Sequence, residues 1–155
     1  MRRNPALFAI LVGGGIAGTL DILYAIIYSA FRGVAATRIL QSVASGLLGQ
    51  AAYEGGTATA ALGLCLHFAM ALLIASIFYI ASRHIAFLTR QAVAAGLLYG
   101  IVVYAVMNFV VIPLSAFPTQ MTYTPVRIAI NVVAHMVLFG LPIALVTRRA
   151  SIGRS

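Results

Sequence analysis

Four unbroken apolar runs, approximately Ala6–Phe31, Thr57–Ser82, Ala92–Phe117 and Pro125–Thr147, set the terms on which this chain can fold. Each exceeds the roughly 20 residues that a helix needs to cross the hydrocarbon core of a bilayer. Within lipid, every backbone N–H and C=O must be satisfied by protein, and only helices and closed barrels do so. None of the four runs alternates polar and apolar residues as a barrel strand does, so all four are expected to be helices. Composition agrees. Hydrophobic residues make up 63% of the chain and charged residues 8%, against about 45–50% and about 25% in soluble domains. The expectation is an all-α, polytopic membrane protein, with residues 1–155 forming a single four-transmembrane-helix bundle.

The N-terminus has the outline of a signal peptide, with Arg2-Arg3 ahead of an apolar stretch and small residues at Gly15 and Ala17. Hydrophobicity nevertheless continues to Phe31, well past a normal h-region, so an uncleaved first span is expected. Between the first two runs, Ile39, Val43 and Leu47 fall at i, i+4 and i+8, which predicts a short amphipathic helix lying in the interface. The uncharged third connection, punctuated by Pro113, Pro118 and Pro125, predicts a tight, turning link.

The net charge of +8 comes from ten arginines, no lysine and only two acidic residues, Asp21 and Glu54. In a soluble protein such a balance would point to nucleic acid. Here the arginines stand at the edges of apolar runs, where they act as topology and headgroup anchors, so the bilayer is the expected partner and nucleic acid is not. Arg2, Arg3, Arg83, Arg90, Arg148, Arg149 and Arg154 fall on one side, and Arg32, Arg38 and Arg127 on the other. The excess places both termini in the cytoplasm. Cys65, the only cysteine, cannot form an internal disulfide and reads as a small packing residue.

Polar groups inside a bilayer are costly and face a bundle interior or a cavity. At about 1.5 Å per residue, Asp21 lies roughly 22 Å and Asn108 roughly 24 Å from the cytoplasmic ends of their spans. With about 36 Å per span, His67 and His135 fall near about 21 Å and Asn131 near about 27 Å on the same scale. Residues of all four spans therefore meet in one layer. Faces agree with depths: Gly96, Gly100, Tyr104 and Asn108 recur every fourth residue, and so do Arg127, Asn131 and His135. Gly14, Gly18 and Asp21 share a face in the first span, and Gly63 and His67 do so in the second. The pairs Gly14/Gly18 and Gly96/Gly100 are small-residue seams for close helix approach. Their recurrence in spans one and three, with a histidine in each of spans two and four, has the form of a duplicated hairpin.

The candidate ligand-binding or proton-sensitive residues are thus Asp21, His67, Asn108, Asn131, His135 and Arg127. An ionised Asp21 needs a partner in lipid, and Arg127 or either histidine is available to it. His67 and His135 are alternative axial ligands for a haem b, or, with Asp21, for a metal; otherwise no cofactor is expected. Tyr24, Tyr28, Tyr99 and Tyr104 read as packing or interface residues. No catalytic residue is assigned and enzyme activity is not expected, because GxxxxGK[ST], GxSxG and HExxH patterns are all absent.

Several segments together resemble the YagU-like family of small bacterial inner-membrane proteins. They are Gly14-Gly15-Ile16-Ala17-Gly18, His67 with the apolar run to Arg83, Gly96-Leu97-Leu98-Tyr99-Gly100 through Asn108, Ile112-Pro113-Leu114, and His135. The first loop departs from the family in being shorter and more apolar. The resemblance implies a bacterial inner-membrane location and four spans, and it brings no activity with it. Three functions stand open at this point: a small-molecule or proton binding/transport module, a structural or assembly partner in a membrane complex, and a bis-histidine haem redox protein. Four helices are few for a complete carrier, so a homo-oligomer or larger complex is expected, with one of the glycine pairs as seam if it does not face inward.

Overall fold

The computed structural model describes residues 4–118 and 124–152. Arg2, Arg3 and Arg154 of the charge count, and residues 119–123 of the third connection, lie outside the described residues. Among those described, all regular structure is helical. Four helices have the length and hydropathy to span a membrane: α1 (Pro5–Ala30), α3 (Gly56–Ser82), α4 (Ala92–Leu114) and α5 (Pro125–Ser151). A shorter helix, α2 (Ala36–Leu48), joins α1 to α3. The protein is an integral membrane protein built as an all-α bundle. Large apolar side chains such as Leu11, Ile27, Leu73, Ile77, Leu98, Val102 and Val133 are exposed along its spans, which lipid rather than water accommodates.

Local chemistry sets the helix ends. Asn4 Oδ1 accepts from Ala6 N–H at 3.0 Å ahead of Pro5, and Thr124 Oγ1 accepts from Arg127 N–H at 3.3 Å ahead of Pro125. In each case a side-chain oxygen satisfies an orphan donor, and proline fills the first position, where its missing N–H costs nothing. Helix α4 stops at Leu114, short of the expected Phe117. Ser115 is extended, its Oγ accepts from Phe117 N–H at 3.2 Å, and Pro118 disfavours helical geometry in the residue before it. Helix α5 runs one turn past Thr147 through Arg148 and Arg149. Three spans contain a wider, π-helical turn: Ala9–Gly13 in α1, Met107–Val111 in α4 and His135–Gly140 in α5.

The core is made of small residues, which let backbones approach where no water is available to drive association. Ala17, Ala71, Ala75, Ala92, Ala95 and Ala144 are all essentially buried, packed around Phe78, Phe139 and Ile143. Gly14 and Gly18 seat α1 on α3: a Cβ at Gly14 would lie 3.0 Å from Leu72, and one at Gly18 3.0 Å from Ala71. Gly96, Gly100 and Gly140 seat α4 on α5. A Cβ at Gly96 would lie 2.8 Å from the Leu141 Cα, one at Gly100 would strike the carbonyl of His135, and one at Gly140 the carbonyl of Gly96. Both glycine pairs are therefore consumed inside the protomer. They face inward as helix-packing residues, so the condition on which either would form an oligomer seam is not met.

Helix α1 packs on both α3 and α5, and α5 on α4, whereas α3 and α4 barely approach each other. Near the end of the bundle that holds the termini, Tyr99 bridges them: its ring lies 4.8 Å from that of Phe78, and its hydroxyl donates to the Ile74 carbonyl at 2.8 Å. At the far end, α2 closes the gap. Gly63 of α3 admits the backbone of Leu40, Gln41 Nε2 donates to the Gly56 carbonyl at 3.0 Å, and Ala116 N–H donates to the Gly46 carbonyl at 2.8 Å. The guanidinium of Arg38 lies over the Tyr53 ring at 3.9 Å. The helix itself follows the sequence expectation, but its buried face differs. Gln41, Ala44 and Ser45 point into the protein, while Leu47 is exposed and Ile39 and Val43 are half-buried. The backbone of Leu40 and Ala44 closes on Gly63, and that contact turns this face inward in place of the apolar one.

These contacts predict a sharp contrast between two glycines. Gly100→Ala should cost on the order of 1–3 kcal/mol through overpacking against α5. Gly15→Ala, where an added Cβ meets nothing within 4 Å, should be neutral or slightly stabilising. Thermal unfolding of the two variants in mild detergent checks this, and equal melting temperatures would refute the proposed α4–α5 seam.

Candidate binding cavity

The gap between α3 and α4 is a cavity of about 510 Å³, roofed by α2 and backed by α1 and α5. All six polar residues singled out in the sequence, Asp21, His67, Asn108, Arg127, Asn131 and His135, line it. Ser42 and Ser115 join them from the roof, and Tyr104 from α4. The remaining wall is apolar, with Leu66, Met70 and Ile74 on α3 facing Val103, Met107 and Val111 on α4. The volume falls within the range of about 300–1,000 Å³ usual for small-molecule sites.

His135 is the most constrained member. Its Nδ1 is 2.8 Å from the carbonyl of Asn131, an arrangement in which Nδ1–H donates. That bond leaves Nε2 as the ring atom facing Asp21, with 3.9 Å between Nε2 and Oδ1. Tyr104 meets the ring edge-on at 5.5 Å and Phe139 lies along it at 6.3 Å between centroids. Gly100 admits the backbone of His135 and Met136, so the α4–α5 seam also sets the height of the ring. The π-helical turn of α5 begins at His135, and that of α4 encloses Asn108. Such turns recur at functional sites because they displace one residue from the regular helical surface.

The other polar groups are tied down locally. Asn131 Nδ2 donates to the Arg127 carbonyl at 2.8 Å, and its Oδ1 accepts from Tyr24 Oη at 3.2 Å. Asn108 Nδ2 donates to the Tyr104 carbonyl at 2.9 Å. His67 Nε2 lies 2.8 Å from the Gly18 carbonyl, to which it donates, with Phe68 edge-on at 5.5 Å. Since Gly18 also seats α1 on α3, this histidine fastens that seam.

The partners considered for Asp21 separate on these distances: it faces His135, while His67 is held by α1 and Arg127 forms no ion pair with it among the described residues. The suggested metal triad of Asp21, His67 and His135 is not assembled, and no group of three such ligands comes together among the described residues. Axial haem ligation through Nε2 would require His67 to release Gly18 and His135 to turn away from Asp21. Tyr24 is a member that the sequence reading left among packing residues. Its placement three residues after Asp21, on nearly the same face, is the signal that marks it.

Comparison with known proteins returned no matching family model, no similar curated protein and no matching solved structure. The resemblance to the YagU-like family stands on its short motifs alone.

The Tyr24–Asn131 bond joins α1 to α5 inside the membrane. A double-mutant cycle of Tyr24→Phe and Asn131→Leu should give a coupling of about 0.6 kcal/mol, the usual size for such interhelical bonds. Strict additivity in unfolding measurements would remove that bond from the account of the site.

Proposed function

We propose that the protein is a membrane-embedded binding module for a small lipophilic molecule, with occupancy linked to a proton held between Asp21 and His135. One observation carries this reading: polar side chains from all four spans line a single cavity instead of interlocking in a filled core. A purely structural polar layer would have every group paired across helices, with no space left between. Here Asn131 and His135 donate to carbonyls of their own helix, and both line the cavity. The access route that fits is lateral, because α3 and α4 barely meet between the Tyr99 bridge and the α2 roof. Moving a proton on or off the Asp21–His135 pair changes the charge at the polar wall, and with it the affinity for whatever lies against that wall. A cytoplasmic location for both termini, in a bacterial inner membrane, accords with the arginine asymmetry and is part of the same proposal.

Photolabelling in lipid nanodiscs tests the reading. A neutral alkyl diazirine should label Met70 and Met107 saturably, against a non-saturating background at lipid-facing residues such as Leu73 and Val102. Labelling of Met70 and Met107 should differ between about pH 5 and about pH 8, the interval in which histidine charge responds, and Asp21→Asn should abolish the difference. Unsaturable labelling at both methionines, or a pH response untouched by Asp21→Asn, would sink the proposal.

A further inference from the structure

Charge bookkeeping around the cavity extends the proposed binding role to a ligand class, and rests on it. Among the described residues, Arg127 is the only arginine lining the cavity. The whole chain has two acidic side chains, Asp21 and Glu54. Asp21 faces His135, and the Asp21–His135 contact is the only ion pair among the described residues. Residues 119–123 are Thr, Gln, Met, Thr and Tyr, so they bring no carboxylate to Arg127. Arginine stays protonated. The guanidinium therefore stands at the cavity wall with no ion-pair partner among the described residues. Arg127 lies in the first turn of α5, where the helix dipole adds to the same sign.

A charge left half-buried beside apolar walls is costly until it is paired. Those walls are continuous on the other side of the cavity, where Met70 and Ile74 of α3 face Val103 and Met107 of α4. We infer that the cavity takes an anionic amphiphile, its carboxylate or phosphate head on Arg127 and its hydrocarbon chain between α3 and α4. The planar guanidinium matches either head in bidentate fashion. The chain needs no fully enclosing tunnel, because the gap through which it leaves the cavity leads to lipid.

The test uses the full chain in phosphatidylcholine nanodiscs, with cis-parinaric acid as the fluorescent probe. Palmitate and lysophosphatidate should both displace it, which covers the two head chemistries. Hexadecanol, with the same chain and no charge, should compete about tenfold more weakly or worse, the scale of one lost charge-assisted contact. Inorganic phosphate, a head without a chain, should not compete. Arg127→Gln should bring palmitate down to the level of hexadecanol, and Arg127→Lys should recover much of the difference. Met107→Trp, which fills the gap without touching the head position, should weaken palmitate and hexadecanol together.

Equal competition by hexadecanol and palmitate in the unaltered protein would overturn the anionic head while leaving a binding cavity. Displacement by inorganic phosphate would overturn the chain. Folded Arg127→Gln with undiminished preference for palmitate would overturn the role of Arg127. If neither hexadecanol nor palmitate displaces the probe, the binding function itself fails and this inference with it.

Discussion

The backbone contact between α4 and α5 is the constraint from which the rest of the bundle follows. Gly96, Gly100 and Gly140 bring the two helices so close that a single methyl group at Gly100 would meet the His135 carbonyl. In lipid there is no aqueous driving force to hold helices together, so such contact surface decides which pairs form. Helix α4 spends its one small-residue face on α5, and has none left for α3. The gap between α3 and α4 is the geometric remainder, spanned by an aromatic bridge at one end and a peripheral helix at the other. The cavity is thus a product of pairing choice, and its polar wall belongs to the helices that pair tightly.

The polar residues show how such a wall survives in a bilayer. Asn108, Asn131 and His135 each donate to a carbonyl four residues back on the same helix. This local bonding satisfies one donor of each side chain within its own helix, which lowers the cost of bordering open space. The bonds of His67 to Gly18 and of Tyr24 to Asn131 cross between spans, and both tie α1 to its neighbours. The half that packs tightly is therefore also cross-linked.

Much of this was legible from the residues. Apolar run length places the spans to within a turn, and the strict spacing of Gly96, Gly100, Tyr104 and Asn108 marks the buried face of α4. Asp21, His67, Asn108, Asn131 and His135 follow from depth counting alone, because each helix rises by a constant amount. Pairing was not legible: a glycine stripe says that something comes close, not which helix does. The face chosen by α2 escaped for a related reason. Periodicity weighs hydrophobicity, whereas the approach of the Leu40 and Ala44 backbone to Gly63 and the Gln41 bond to the Gly56 carbonyl set the buried face. The end of α4 was missed because apolar character continues past the point where Ser115 and Pro118 turn the backbone.

The wider turn in α5 has a consequence for how this helix keeps time. Arg127, Asn131, His135, Phe139, Ile143 and Thr147 stand four apart, with the first three on the cavity and the last three buried. On a regular α-helix each step of four overshoots a full turn by about 40°, so five steps would carry the row far around the cylinder. A turn closed by i→i+5 bonds takes up more residues, so a step of four through it falls short of a revolution and reverses the drift. The turn at His135–Gly140 acts as a phase correction between two halves of one stripe, polar on the cavity above and buried below. Deleting one residue there would leave composition, length and hydropathy almost untouched, yet put the two halves out of step.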